Sequence, residues 1–287
     1  MRKPSVQQLI KKQTGLMPGA DQIFEIKAKP GAVVYLASLN LDFNKEIFLA
    51  VSNKNITIID DHGLVTKKSR ALRLNILTGF DSNVDYVITS PGVDSYQAFY
   101  QFYPGEDASL NCYALGKFQD ENYHLTLAIN QHSSGSIGNI ICAFDFKNQS
   151  RTSVSLINNH QGRDTVGDIK FRGLGRDAAK ALIEGMISIG KKGSNTNSYL
   201  QQDVLLVSPT ASIDAKPNLE ILNNEVKASH GATLASFDPS VLFYLESRGL
   251  DERQAQQLII NGFFNSLIAK VDNKIIIKQF KEFWPTV

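Results

Sequence analysis

The feature that most constrains this 287-residue chain is a long series of short strand-like segments joined by very short linkers. From about residue 20 to about 230, β-branched and aromatic runs recur, among them Ala32-Val33-Val34-Tyr35-Leu36, Ile56-Thr57-Ile58-Ile59 and Tyr86-Val87-Ile88-Thr89. Clusters of Asn, Asp, Gly and Ser separate them, as expected for strands and turns. The 3.6-residue apolar period of a helix is scarce here. The stretch 203–230 is the most regular. It reads as four strands, 204–207, 211–214, 219–221 and 225–228, with corners at Pro209 and Lys216-Pro217. Antiparallel hairpins are compatible with this, although their two-residue turns usually want Asn-Gly or Asp-Gly, absent from the stretch. A solenoid, in which each coil stacks on the last, is equally compatible. No strict repeat period is visible.

Lys and Arg number 30 against 28 Asp and Glu, a net charge of +2, which argues against a strongly basic nucleic-acid binder. Hydrophobic residues at 43% and charged residues at 20% exclude bulk disorder. Cys112 and Cys142 are too few for a disulfide framework and lack C-x-x-C spacing, so a reducing compartment is expected. No apolar run reaches the ~18 residues of a membrane span, and the basic N-terminus lacks the apolar stretch of a secretory signal. A cytoplasmic protein with no membrane and no nucleic-acid partner is the expectation.

Residues 5–13 suggest a short amphipathic helix with Val6, Leu9 and Ile10 on one side, broken by Gly15, Pro18 and Gly19. The character changes again at Phe237. Asp238-Pro239 is a helix start, since Asp accepts from free N–H groups and Pro fits the first turn. Leu242, Phe243 and Leu245 supply an apolar face, and Arg248-Gly249 ends the helix. Asp251 opens a second helix with Gln254 three residues on, the spacing of a capping box. Residues 238–270 therefore read as a helix–turn–helix pair. The tail beyond Lys270 has no assignment. The division expected is a helix or tail over 1–19, a β core over 20–237 and a helical region over 238–287.

Two glycine motifs are decoys. Gly173-Leu174-Gly175-Arg176-Asp177-Ala178 matches G-x-G-x-x-A, but no acid lies near residue 195 to bind a ribose. Gly185 through Gly190-Lys191-Lys192 nearly matches a P-loop, yet Lys192 stands where Ser or Thr should hold magnesium. His62, His124, His132, His160 and His230 show no metal-ligand spacing, and no G-x-S-x-G elbow is present. The two cysteines sit in apolar surroundings and read as inert thiols.

Lys216-Pro217-Asn218-Leu219-Glu220-Ile221, then Ser229-His230-Gly231-Ala232-Thr233, then Leu242-Phe243-Tyr244-Leu245-Glu246-Ser247-Arg248-Gly249-Leu250 form an ordered series. This series closely resembles the core domain of the SufB/SufD family of iron–sulfur cluster assembly proteins. The clear likeness covers roughly 199–269 and a weaker one reaches back to about 120; residues 1–110 carry no motif that can be placed. The resemblance implies a mostly β fold, a right-handed parallel β-helix closed by C-terminal helices, in which both glycine decoys become turns. It implies a non-enzymatic scaffold that pairs with a SufB-like chain and docks a SufC-like ABC ATPase through residues 238–287. An iron or iron–sulfur cluster would be held transiently. His230 falls on the family's histidine at the pair interface, read as a corner between strand and helix. Phe243, Tyr244, Arg248, Leu258 and Phe263 fall on the docking helices, where core packing competes with partner binding for most of them. The SufB cysteine would fall near Gln201-Gln202, where none stands, so the likeness is to SufD, with a short N-terminus. Two other functions are carried forward. One is a homodimeric minimal scaffold. The other is a solenoid enzyme acting on polysaccharide, for which Asp164, Asp168 and Asp177 are the nearest candidate acids.

Overall fold

The computed structural model describes residues 6–16, 22–39, 41, 46–52, 55–61, 72–90, 96–119, 122–269 and 271–284. After helix α1 (Val6–Thr14) come strands β1 (Ile23–Ile26), β2 (Val33–Tyr35), β3 (Ile47–Val51), β4 (Ile56–Asp60), β5 (Leu72–Thr78), β6 (Asn83–Ser90), β7 (Tyr96–Tyr103) and β8 (Ser109–Gln119). The series lengthens through β9 (Asn122–Gln131), β10 (Ile137–Lys147), β11 (Arg151–His160), β12 (Val166–Gly175), β13 (Lys180–Ile189), β14 (Asn197–Leu206), β15 (Ser212–Ile221) and β16 (Lys227–Ser236). Helices α2 (Pro239–Ser247), α3 (Glu252–Ile268) and α4 (Lys274–Phe283) follow.

Odd-numbered strands form one eight-stranded sheet and even-numbered strands the other. Every pairing is parallel, as between β11 and β13, where Val154 lies beside Ile183. The chain alternates between the two sheets and advances one coil at a time. It is a parallel β-helix closed by C-terminal helices, the fold class expected from the resemblance. Among the described residues no strand pair is antiparallel, so the solenoid and not the hairpin is the outcome.

The turns explain the Asn and Asp clusters. Asn55, Asp81, Asp107, Asn148, Asp164, Asp177 and Asn195 all have positive φ, the left-handed region that Asn and Asp tolerate best after Gly. Coil lengths vary: the Asn111–Asp85 hydrogen bond spans 26 residues and Ser188–Glu220 spans 32. That drift is why no strict period shows in the sequence.

Side chains of each strand alternate between the solenoid interior and its outer faces. In β11, Thr152, Val154, Leu156, Asn158 and His160 are buried inside. Phe118, Phe144, Phe146 and Phe171 stack through successive even strands with ring centroids 5.2–5.8 Å apart, packing one coil onto the next. Cys112 and Cys142 are free and fully buried in this interior, and burial raises both thiols, Cys112 with an added push from Cys142; both are inert, as expected.

The outer faces carry apolar strips that the helices cover. Ile10 of α1 packs on Phe48, Leu77 and Tyr103 of the odd sheet, and Gln13 Nε2 donates to the Thr78 carbonyl at 3.2 Å. The helix ends at Gly15, with φ +74°. The side chains of Val6 and Leu9, and Pro18 and Gly19, lie outside the described residues. On the even sheet, Val87, Tyr113, Leu115, Ile141, Ala143, Leu174 and Leu205 meet Ile260 and Phe264 of α3 and Ile276 and Phe280 of α4. The unassigned tail is thus a third helix that completes this layer.

Three local expectations need correction. Residues 212–221 form one strand, not two joined at Lys216-Pro217. Pro217 lies mid-strand beside Gly185, on the terminal strand of its sheet, where a missing N–H can face outward. The Ser-His-Gly-Ala-Thr segment is the middle of β16, not a corner; His230 lies beside Leu200. Each glycine decoy runs from a strand into a turn: Gly173, Gly175 and Gly185 are strand residues, whereas residues 176–178 and 190–192 are turns as expected. A Cβ on Gly173 would approach the Phe171 ring to 2.8 Å, and one on Gly185 would lie 2.8 Å from both Leu200 methyls. Close packing explains these glycines.

Candidate partner-binding surfaces

Two exposed regions adjoin at the C-terminal end of the solenoid. The first is the last coil. β15 and β16 each have one paired neighbour and one open edge. Ten residues of backbone on each strand therefore leave a row of N–H and C=O groups without a strand partner. Apolar side chains accompany the edge: Ile221, Leu222 and Leu234 are exposed. His230 is also exposed, on β16, so its imidazole is open to a ligand. Among the described residues, no three His, Cys, Asp or Glu side chains gather to hold a metal ion. His230 by itself supplies one donor.

The second region is the outer side of α2 and α3. Asp238 caps α2 by accepting from the Ser240 N–H at 2.8 Å. The expected capping box of α3 is formed: Asp251 accepts from Gln254 N–H at 2.8 Å and Gln254 Oε1 accepts from Asp251 N–H at 2.9 Å. The first cap sits where the chain leaves β16 and the second at the elbow between the two helices. α2 buries none of its residues. Phe243 is 73% exposed, Tyr244 55% and Leu258 51%, an unusual display for large apolar groups. Arg248 lies 5.2 Å from the Tyr244 ring centroid, holding a cation over its face. A recess of about 440 Å³ beside them is lined by Leu250, Asp251, Arg253, Gln254, Gln257, Leu258 and Asn261.

Phe263 sits apart from these four. Its ring is half-buried against the even sheet, 5.0 Å from the Arg172 guanidinium. Arg172 Nη1 also donates to the Phe263 carbonyl, and its Nε lies 3.5 Å from Asp203 Oδ2. Phe263 thus anchors α3 to the solenoid, and core packing is its role. Phe243, Tyr244 and Leu258 are exposed instead, so core packing does not account for them.

The other histidines divide by burial. His62 lies outside the described residues. His132 is exposed and stacks at 6.4 Å on Tyr103. His160 is fully buried. Its Nδ1 lies 2.9 Å from Gln131 Nε2, a donor, and 2.9 Å from Thr165 Oγ1. Burial pushes its pKa down to about 4, so the ring is neutral at pH 7. With Nδ1 accepting, Nε2 carries the proton and has no partner.

The three acids weighed for polysaccharide chemistry are separated. Asp164 lies in the turn before β12 and Asp177 in the turn after it, with a ten-residue strand between. That strand spans roughly 30 Å, whereas a glycosidase needs its two carboxylates within about 10 Å. Asp168 is paired with Lys170 at 3.3 Å. The sequence did not single out Ile221, Leu222 and Leu234: the split at Pro217 hid the alternation of β15 that leads to Ile221, and a strand expected to end at residue 228 stopped short of Leu234.

Comparison with known proteins agrees with this geometry. A family model described as "SUF system FeS cluster assembly, SufBD core domain" matches residues 36–263. The iron–sulfur cluster assembly protein SufD of Bacillus subtilis is 26% identical over 246 residues, covering 84% of this chain and 55% of that protein. SufD of Escherichia coli is 39% identical over 87 residues, 30% of this chain and 21% of that protein. The chloroplastic protein ABCI7 of Arabidopsis thaliana is 32% identical over 102 residues, 36% of this chain and 22% of that protein. The chain thus spans about half the length of the Bacillus relative. The match begins at residue 36, so it takes in much of 1–110, where no motif had been placed. With well over half its length matched, the chain belongs to the SufB/SufD family of iron–sulfur cluster assembly proteins.

Proposed function

We propose that this chain is a non-enzymatic, SufD-like scaffold subunit of the SUF machinery. It pairs with a SufB-like chain through the open edges of β15 and β16 and docks a SufC-like ABC ATPase through α2 and α3, within a docking region of residues 238–287. The observation that carries this reading is the uncovered last coil. Two parallel edge strands of ten residues, flanked by exposed Ile221, Leu222 and Leu234, form a template for adding another sheet. The exposed Phe243, Tyr244, Arg248 and Leu258 support a separate docking face.

His230 would serve as one ligand to iron or a nascent cluster, the cargo of the assembly. Neutral imidazole nitrogen suits iron. The partner would bring the remaining ligands, since His230 has none beside it. The absence of a cysteine at Gln201-Gln202 agrees with a SufD-type role. ATP hydrolysis belongs to the docked ATPase in this reading. Two free buried cysteines fit a reducing compartment, and we place the protein in the cytoplasm. Among the described residues no helix is long and apolar enough to cross a membrane.

The test is anaerobic co-expression with a SufB-like chain and a SufC-like ATPase, followed by affinity capture. Both partners should co-purify. Leu234→Lys should release the SufB-like chain and retain the ATPase, while Phe243→Asp should do the reverse. The same edges would also serve a second copy of this chain. Capture of the ATPase alone, with a doubled scaffold mass by light scattering, would select that homodimer. Recovery of neither partner nor a dimer would contradict the scaffold reading.

A further inference from the structure

The Gly190-Lys191-Lys192 segment, rejected as a P-loop, occupies a turn on the ridge where odd strands pass to even ones. Gly193 N–H donates to the Gly190 carbonyl at 2.9 Å, so Lys191 and Lys192 are the two central residues of a hydrogen-bonded turn. That turn is held on both sides. Gly190 N–H donates to His160 O at 2.9 Å, and Asn223 Nδ2 donates to Lys191 O at 2.9 Å. A Cβ on Gly190 would lie 2.1 Å from Gln161 Oε1, so the Gln161 amide rests directly on the glycine backbone. The preceding coil places Arg163 beside the same turn. Together these residues line a recess of about 580 Å³ with His132, Ser134, Gly162, Ser194 and Glu225.

The charge balance of this recess is one-sided. Arg163, Lys191 and Lys192 face a single carboxylate, Glu225. All three cations are exposed, and none makes an ion pair among the described residues. Elsewhere on the solenoid some cations are matched, Lys170 with Asp168, Arg176 with Asp145 and Lys216 with Asp214, and others, such as Lys180, stand without an ion pair among the described residues; here three line one recess. Gln161, Ser134 and Ser194 add neutral donors at the same place. Unpaired cations on a rigid turn, around a concave surface with hydroxyl and amide donors, are complementary to a polyvalent oxyanion.

We infer that this recess binds a small phosphate-type anion, with Lys191, Lys192 and Arg163 as its charged contacts. Asn223 and Glu225 belong to the turn between β15 and β16, but the three cations come from earlier turns and none of the site lies on α2 or α3, so anion binding is tested on the chain alone, apart from the scaffold reading.

The test is calorimetric titration of inorganic pyrophosphate into the full chain at low ionic strength. One-to-one saturable binding is expected. The Lys191→Gln/Lys192→Gln double variant should weaken it about 10-fold or more, the loss of two charge-assisted contacts. Lys180→Gln, an exposed cation outside the recess, should leave it unchanged. Glu225→Gln should tighten binding about threefold by removing the one opposing charge, a gain that no folding defect produces. Absence of saturable binding would overturn the inference. So would equal weakening by Lys180→Gln, or the same heats from sodium chloride at matched ionic strength.

Discussion

Asn273 Nδ2 lies 2.7 Å from Asp85 Oδ2 and 3.1 Å from Thr57 Oγ1, joining the start of α4 to two coils near the opposite end of the chain. The same side chain caps its own helix, its Oδ1 accepting from Ile275 N–H at 3.0 Å. One amide thus both starts α4 and fastens it across 188 residues of sequence to Asp85. Asp85 in turn accepts from Asn111, and Asn139 donates to Asn111, so the fastening enters a polar ladder along the even sheet. Asn273→Ala is expected to destabilise the protein by about 1–2 kcal/mol, the range for a lost cap with a buried partner left short. Chemical denaturation of the purified chain checks this. An unchanged midpoint would show that α4 is held by its apolar face alone.

The apolar face of α4 and α3 should matter more. Phe264 is buried, stacked at 4.1 Å on Trp284 and packed beside Ile276 and Phe280. Phe264→Ala should cost about 3–5 kcal/mol, the usual loss for a buried aromatic. Phe243→Asp, on the exposed side of α2, should move the melting temperature little. Thermal melts of both variants separate the packing residues from the docking residues.

His160 makes stability depend on pH. Its folded pKa is lowered by burial to about 4, against an ordinary value of 6.5 when unfolded. Below 6.5 the unfolded chain takes up a proton that the native state refuses, so stability falls as pH drops from about 6.5 towards 4. The full effect is on the order of 3 kcal/mol. His160→Gln should remove this part of the pH slope. Urea titrations of both proteins at pH 7 and pH 4.5 test it; parallel losses would mean that His160 does not carry the effect.

His230→Ala should leave the fold intact, because the imidazole is exposed on an edge strand. Circular dichroism and melting should match wild type within about 0.5 kcal/mol. In the co-expressed complex, iron and sulfide content after anaerobic reconstitution should fall, with partner capture unchanged. Retained cluster loading would remove His230 from the site.

Where the sequence was legible, local chemistry agreed with tertiary structure. Asp238-Pro239 and the Asp251–Gln254 box announced α2 and α3, because caps are local interactions. The solenoid was hinted at by Asn and Asp turns, which need only their own backbone conformation. The failures have physical causes. Pro217 ordinarily breaks a strand, but an edge strand tolerates it. Ser229-His230-Gly231-Ala232-Thr233 is poor in β-branched residues, yet pairing with β14 imposes an extended backbone. Ile275-Ile276-Ile277 has strand propensity, but the apolar strip on the even sheet selects a helix that buries Ile276 and Phe280. For the partner surfaces, the helix pair was legible, but which of its apolar residues faced outward was not. Phe243 and Phe263 look alike in sequence, and only the position of Arg172 on β12 distinguishes the anchored one.

The most direct measurement of the central claim is the solution mass, by light scattering, of the chain co-expressed with a SufB-like protein and a SufC-like ATPase, with and without Leu234→Lys. The account predicts a complex containing both partners for the wild type, from which the edge variant loses the SufB-like chain while keeping the ATPase. A wild-type chain that elutes as a bare monomer, or an edge variant that retains every partner, would contradict it.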